Sequence, residues 1–365
     1  MEKENQVLTL SVQPPTQQCQ VCVGTDLLAD KSLWNLILKD KKSVLVCESR
    51  FRDELSQFRQ VHNIADSSTF FLEGGEQTKT AAVLQELWNF YQRQNLDRSS
   101  LVVALGGGAL CDVVGFSAST FHRGVPVVLI PSTLLGMADA AIGGKTAVNL
   151  EHVKNSVGTF WLPSYVLCDL SLLRSLPARE FRAGLAEIIK IACCCDVVMA
   201  EQLCASAVTP EHSNLHKLLA AAIQHKISIV QQDFAETGLR RVLNFGHTVG
   251  HALEAVSNQT ANPLLHGEAV ALGMLIETSI ALSKGFCEEA CFAQLNLMLH
   301  RQQLPTKLGY TLDAQSLWRL IALDKKKSRG EVLWALPTQI GAVNFDSRVE
   351  FSEFQRAMTS FLVTE

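Results

Sequence analysis

Apolar residues along this chain follow two rhythms, and the change comes near residue 177. In the first half, short apolar runs end at a polar residue, glycine or proline. Ser43-Val44-Leu45-Val46-Cys47 stops at Glu48, Leu101-Val102-Val103-Ala104-Leu105 at Gly106, and Val125 to Ile130 at Pro131; Tyr165 to Asp169 closes the series. Runs of this kind read as buried parallel strands. Ala82, Leu84, Leu87, Trp88 and Tyr91 recur at helical spacing and predict a helix from about Thr80 to Asn95. Val7 to Val12 alternates apolar and polar residues as a strand does, with Gln20 to Val23 as its expected partner. Beyond Leu176-Pro177 the chain reads as almost entirely helical to about residue 323. The expected fold is α/β: a domain of residues 1–176 with a mostly parallel sheet, then a mostly α-helical domain of residues 177–365. Ligands of such folds gather in the cleft beyond the carboxyl ends of the strands.

Composition narrows this picture. The 365 residues are 47% hydrophobic and 19% charged, with a net charge of −4, so a large core is expected and no basic excess points to nucleic acid. The polar, acid-containing start Met1-Glu2-Lys3-Glu4 does not read as a signal peptide, and no apolar run is long enough to span a bilayer. The expectation is a soluble, cytoplasmic protein. Eleven cysteines are scattered without paired Cys-x-x-Cys motifs. They read as reduced, and Cys193-Cys194-Cys195 as core.

Several clusters carry chemistry. Gly106-Gly107-Gly108 follows a buried strand and leads to Asp112, a place where backbone amides can approach a pyrophosphate or where the chain simply turns tightly. It is not a Rossmann fingerprint, because Cys111 stands where the third glycine belongs. Asp139-Ala140-Ala141-Ile142-Gly143-Gly144-Lys145 suits hydroxyl and phosphate binding. His247 and His251 are four apart and share a helical face, and Asn244 and Arg240 extend the column at one-turn spacing. Such a pair serves as metal ligands or as ordinary polar-face histidines. Glu187 sits among apolar neighbours three residues before Lys190, which admits a salt bridge or metal ligation. Glu187, His247 and His266 together would leave one coordination position open, as catalytic metal sites do. Lys226 adds a cation, while the Asp324-Lys325-Lys326-Lys327 run reads as a solvated face.

At these spacings the chain resembles the 3-dehydroquinate synthase family, from about Glu48 to Lys326. The likeness rests on Gly75 to Lys79, Gly106 to Asp112, Gly143 to Asn149, Gly184 to Lys190, Gly238 to His251 and Leu265 to Glu268. The resemblance implies an NAD-binding first domain, a divalent zinc or cobalt ion, a homodimer and a sugar-phosphate substrate, 3-deoxy-D-arabino-heptulosonate 7-phosphate. It assigns Glu187, His247 and His266 to the metal. Glu48 near the adenosine ribose, with Glu76, Lys79, Gly107, Gly108 and Asp112, falls to NAD, as do Ser132, Thr133, Lys145, Lys154 and Ser175. Asp139, Lys190 and Asn244 would meet substrate oxygens, and Lys226 and Arg240 the carboxylate. Lys145, Asn155, His251, Lys325 and Lys326 would meet the phosphate, with Arg123 reaching across from the partner subunit.

The chain departs from the family pattern at Cys111 (usually glycine), Ser132 (threonine), Glu48 (aspartate) and Phe234 (an acid), and none of these removes a group the chemistry needs. Three rival readings are a polyol dehydrogenase, a cyclase acting on sedoheptulose 7-phosphate and an inactive binding paralogue. The phosphate and carboxylate cations weigh against the first, Arg240 against the second, and the intact metal trio against the third.

Overall fold

The computed structural model describes residues 18–62, 64–151, 153–309, 312–325, 332–359 and 361. The first half runs β1 (Gln20–Gly24), α1 (Lys31–Leu38), β2 (Ser43–Glu48), α2 (Arg52–His62), β3 (Thr69–Leu72), α3 (Ala81–Arg93), β4 (Leu101–Gly106), α4 (Gly108–Thr120), β5 (Val127–Pro131), β6 (Lys145–Leu150), β7 (Val153–Phe160) and β8 (Tyr165–Asp169). Six of these strands form a wholly parallel sheet in the order β1-β8-β5-β4-β2-β3. Successive residues of a strand face opposite sides, and here both sides are covered. Val44, Val46, Val102 and Ala104 join one core with α3 and α4; Leu45, Cys47, Val103 and Leu105 join another with Trp34, Phe51 and Phe58 from the α1–α2 side. The unbroken apolar runs in the sequence follow from this two-sided burial.

The second half runs α5 (Ala178–Cys195), α6 (Val197–Ala205), α7 (Leu215–Gln232), α8 (His247–Ser257), α9 (His266–Ser283), α10 (Glu289–Arg301), α11 (Ala314–Lys325), β9 (Trp334–Gln339), β10 (Ala342–Ser347) and α12 (Phe351–Thr359). Helix α9 is its axis: every residue from Ala269 to Thr278 is buried, as befits a helix that is apolar all round. It packs on α5, α8, α10 and α12.

Val7 to Val12 lies outside the described residues, and Gln20–Gly24 pairs with β8 in parallel at the sheet edge. Three expectations change. Lys145, expected in one loop with Asp139, begins an antiparallel hairpin of Lys145–Leu150 and Val153–Phe160 that lies on α4, where Gly115 leaves room for Thr146. Asp139 sits in a π-helical turn, Gly136–Ala140, and not in an open loop. Finally, the column from Arg240 to His251 is not one helix. Leu239–Asn244 is a separate 3-10 turn, and Gly246 breaks the chain with φ 81° before α8 begins at His247. The break is enforced by packing: a Cβ at Gly246 would stand 2.8 Å from the Val270 carbonyl oxygen.

Candidate active site

Glu187 lies fully buried in the middle of α5. A buried carboxylate must find a partner, and it finds two kinds. Lys190, one turn further on, is in ion-pair contact with its Oε2. Its Oε1 accepts no hydrogen bond and faces His247 Nε2 and His266 Nε2, each at 3.5 Å. The three ligand atoms lie within 4.8 Å of one another. Ligands about 2.1 Å from a zinc ion at tetrahedral angles stand about 3.4 Å apart, so the spacing fits a shared divalent cation. The donor-less oxygen is what such a cation would satisfy. The salt bridge and the candidate metal position share one side chain.

Both imidazoles are oriented for this. His247 Nδ1 is 3.3 Å from the Phe245 carbonyl oxygen, and His266 Nδ1 is 3.2 Å from Glu254 Oε2. A proton held on each Nδ1 leaves the Nε2 lone pair facing Glu187, the usual outer partner arrangement of metal-binding histidine. Burial and the nearby Lys190 ammonium keep His247 well below the ordinary imidazole value. Without a cation, burial would lower His266 but the Glu187 and Glu254 carboxylates lift it to about 10, so a cation arriving at Nε2 would displace a proton there. Burial would raise Glu187, yet Lys190 above all holds it at about 2. Glu254 was missed in the sequence, although it stands two turns after His247 on the same face of α8.

The charges continue beyond the trio. Lys190 Nζ is 3.6 Å from Asp139 Oδ1, and Lys226 Nζ lies 2.5 Å from the same oxygen and 2.6 Å from the Asp139 carbonyl. Burial would raise Asp139, but the two ammonium groups hold it well below the ordinary carboxylate range. Asp139 and Lys190 therefore stand beside Glu187, and Lys226 reaches them from α7.

Arg240 is buried, but its fork is largely spent. It donates to the carbonyls of Gly143 at 3.2 Å and Phe234 at 2.7 Å. The expectation of a fork aimed into the site is corrected accordingly: the side chain ties the glycine turn before Lys145 to the segment before α8. Asp233, missed in the sequence, seats that segment by accepting the amides of Thr237, Gly238 and Arg240 at 2.9, 2.8 and 3.0 Å. Lys145 pairs with Glu236, which also accepts from Asn244 Nδ2 at 3.1 Å. Arg241 is more exposed, 4.0 Å from Asp346.

At the carboxyl ends of the strands a second cluster forms. Gly107 N–H donates to Glu48 Oε1 at 2.6 Å, Arg50 Nε to Glu48 Oε2 at 2.8 Å, and Arg50 Nη2 to Ser132 Oγ at 2.9 Å. Gly106 and Gly107 leave no side chain in the way of Glu48, and a Cβ at Gly108 would stand 3.0 Å from that of Ala140, so the glycine loop and the Asp139 turn touch. Thr133 Oγ1 accepts from Gly136 N–H at 3.0 Å. Lys79 is in contact with Asn155 and lies 2.6 Å from Asp112 and 3.7 Å from Glu76. Burial lifts Asp112 to about 6 despite that lysine.

The remaining expected residues are dispersed. Lys154 pairs with Glu254 at 2.6 Å, on the metal side. Ser175 donates to Leu172 O within its own turn at 3.2 Å. His251 is exposed, its ring 5.3 Å from that of His247. Arg123 is exposed on left-handed backbone, φ 63°. Lys325 ends α11, and Lys326 lies outside the described residues.

The parallel sheet with its glycine-lined crevice, set against helices, is a fold shared with solved sugar cyclases and with an iron-containing alcohol dehydrogenase. The chain is similar to a 2-epi-5-epi-valiolone synthase from Streptomyces hygroscopicus subsp. jinggangensis 5008, solved with NAD+ and Zn2+ bound: 27% identity, TM-score 0.84, covering 97% of this chain and 99% of that one. It shares its fold with a 2-deoxy-scyllo-inosose synthase solved with carbaglucose-6-phosphate, NAD+ and Co2+, at 23% identity and TM-score 0.81 over 94% and 96% of the two chains. Residues 69–183 match the 3-dehydroquinate synthase N-terminal family and residues 184–327 the 3-dehydroquinate synthase C-terminal family. A 3-dehydroquinate synthase from Nostoc sp. (strain PCC 7120 / SAG 25.82 / UTEX 2576) is 41% identical over 298 residues, 80% of this chain and 81% of the relative. The chain belongs to the 3-dehydroquinate synthase family.

Proposed function

We propose that this chain converts 3-deoxy-D-arabino-heptulosonate 7-phosphate to 3-dehydroquinate and phosphate, as a phosphate-eliminating cyclase of the shikimate pathway working as a cytoplasmic homodimer. Family membership supports the reaction, and the observation that carries the site is the donor-less Glu187 Oε1 between two Nε2 atoms. Bound in this chain, NAD would supply hydride chemistry and a zinc or cobalt ion Lewis acidity at the reacting oxygen. Glu187, His247 and His266 would hold the ion. The Glu48, Lys79 and Asp112 crevice, with the amides of Gly107 and Gly108, would hold the nucleotide.

The chain's own residues then do the binding and the charge management. Lys190 and Lys226, held by Asp139, present ammonium groups beside the metal trio. Lys190 would donate to substrate hydroxyls as negative charge develops there, and Lys226 would meet the carboxylate; both lysines are buried, which strengthens each interaction. Lys145 and Asn155 belong to the β6–β7 hairpin and would meet the phosphate. Each is engaged by an internal partner, Glu236 or Lys79, so phosphate would exchange with those contacts.

The test is phosphate release by purified protein with trace NAD, comparing the heptulosonate phosphate with sedoheptulose 7-phosphate. Release from the first alone, without net NADH, is expected. Equal turnover of both sugars, or NADH accumulating one for one with product, overturns the assignment.

A further inference from the structure

The geometry points to Glu277 as a positioning residue for His247, an inference that rests on the metal-ligand reading of that histidine. Glu277 is fully buried in α9, directly after the apolar stretch Ala269–Ile276. Among the described residues it makes no ion pair. Its carboxylate is answered by backbone instead: Gly246 N–H donates to Oε2 at 2.6 Å and Val249 N–H to Oε1 at 3.1 Å. Those amides open α8. The first amides of a helix have no intrahelical acceptor, and the residue before α8 is a glycine without a side chain to cap them. Glu277 therefore caps α8 from a different helix, with its oxygens at the positive end of the helix dipole.

The placement matters because His247 is the first residue of α8, the position where helices fray. His266 is likewise the first residue of α9, and Glu277 follows it by eleven residues, three turns along the same face. One helix thus carries one ligand directly and fixes the start of the helix that carries the other. Backbone contact sharpens the fixing. A Cβ at Gly250 would stand 3.1 Å from Val270 Cα, and one at Gly273 would stand 2.8 Å from Gly250 N. With α8 and α9 this close, the carboxylate sets where the Gly246–Val249 turn lies, and so where the His247 ring faces Glu187.

The experiment measures Co2+ binding to the metal-free, full-length protein by titration and visible absorption, with NAD affinity measured alongside. Glu277→Ala should weaken Co2+ binding about 10- to 100-fold, the range for losing an outer partner of a metal ligand. It should shift the ligand-field bands and leave NAD affinity unchanged. Glu277→Gln keeps one acceptor oxygen but turns an NH2 toward the second amide, so it should fall between Ala and wild type. Gln also serves as the readout if the alanine variant does not fold. Wild-type Co2+ affinity and bands in the folded variants, even with a lowered Tm, overturn the inference. His247→Ala separates the two failures. If it binds Co2+ as wild type does, the metal-ligand reading itself is wrong; if it loses Co2+ while the Glu277 variants do not, only the positioning role is wrong.

Discussion

Glu187 and Lys190, one turn apart in α5, show how burial sharpens single residues. With both side chains almost wholly removed from water, each protonation state is set by neighbours. Glu187→Gln keeps the shape and removes the charge that a cation needs. Metal content by elemental analysis should fall from one ion per chain toward zero, with turnover lost in step. Arg240 invites a comparison with its neighbour. Removing a desolvated, charge-assisted donor costs about 2–5 kcal/mol. Arg240→Ala should therefore cut kcat/KM for the heptulosonate phosphate about 30-fold or more, by freeing the Gly143 turn and the Phe234 segment that its fork ties together. Arg241→Ala should change it little, and comparable losses in the two would contradict the assignment. Asp112 offers a pH test. Burial raises its value from 3.8 to about 6, so the folded state holds this proton more tightly than the unfolded chain does. The contribution favours folding most below pH 3.8 and is lost as pH rises through 6. Asp112→Asn should remove that decline, seen as a flatter denaturation midpoint between pH 4 and 6.

Elements were legible where one rule governed them. The strands β2, β4 and β5 could be read because two-sided burial demands unbroken apolar runs, and α3 because one stripe faces the core. The β6–β7 hairpin escaped because most of its residues are at least partly exposed and several carry candidate ligand groups; its alternation at Thr146 and Val148 was the available signal. The Arg240–His251 column failed at Gly246, where helical spacing continued in the sequence but the backbone did not. Gly246→Ala tests that break. The residue would need φ 81° and would meet Met274 Cγ at 2.5 Å and the Val270 carbonyl. A loss of several kcal/mol is expected, of which strain at a positive φ accounts for about 1–3 kcal/mol. The loss should appear as a lower Tm accompanied by weaker metal binding. An unchanged Tm would show that α8 and α9 separate easily.

At the scale of the molecule the proposed nucleotide crevice lies at the sheet and the candidate metal trio lies on the helices, so on that reading neither half has a complete site. Among the described residues no helix is long and apolar enough to cross a membrane. The proposed homodimer is tested through Arg123, which is exposed on the turn after α4. If it completes the partner's site, mixing inactive Arg123→Ala with inactive Glu187→Gln should restore activity. Each mixed dimer then has one site with both defects and one with none, and random exchange should return about a quarter of wild-type activity. No recovery in mixtures shown by native mass spectrometry to contain heterodimers would place Arg123 outside the site.

The sequence by itself determined the residue types, the run of strands before helices, and the candidate trio of Glu187, His247 and His266. Ligand chemistry needs particular side chains, and burial needs apolar periodicity, and both are written locally. Tertiary structure alone decided which partners those side chains meet. Glu254 orients His266, Asp233 seats Arg240, and Glu277 caps a helix it does not belong to. Each contact joins a side chain to a group seven or more residues away, through space that no local pattern encodes. The same holds for the closeness of α8 and α9, where glycines matter only because another backbone fills the place of their missing side chains.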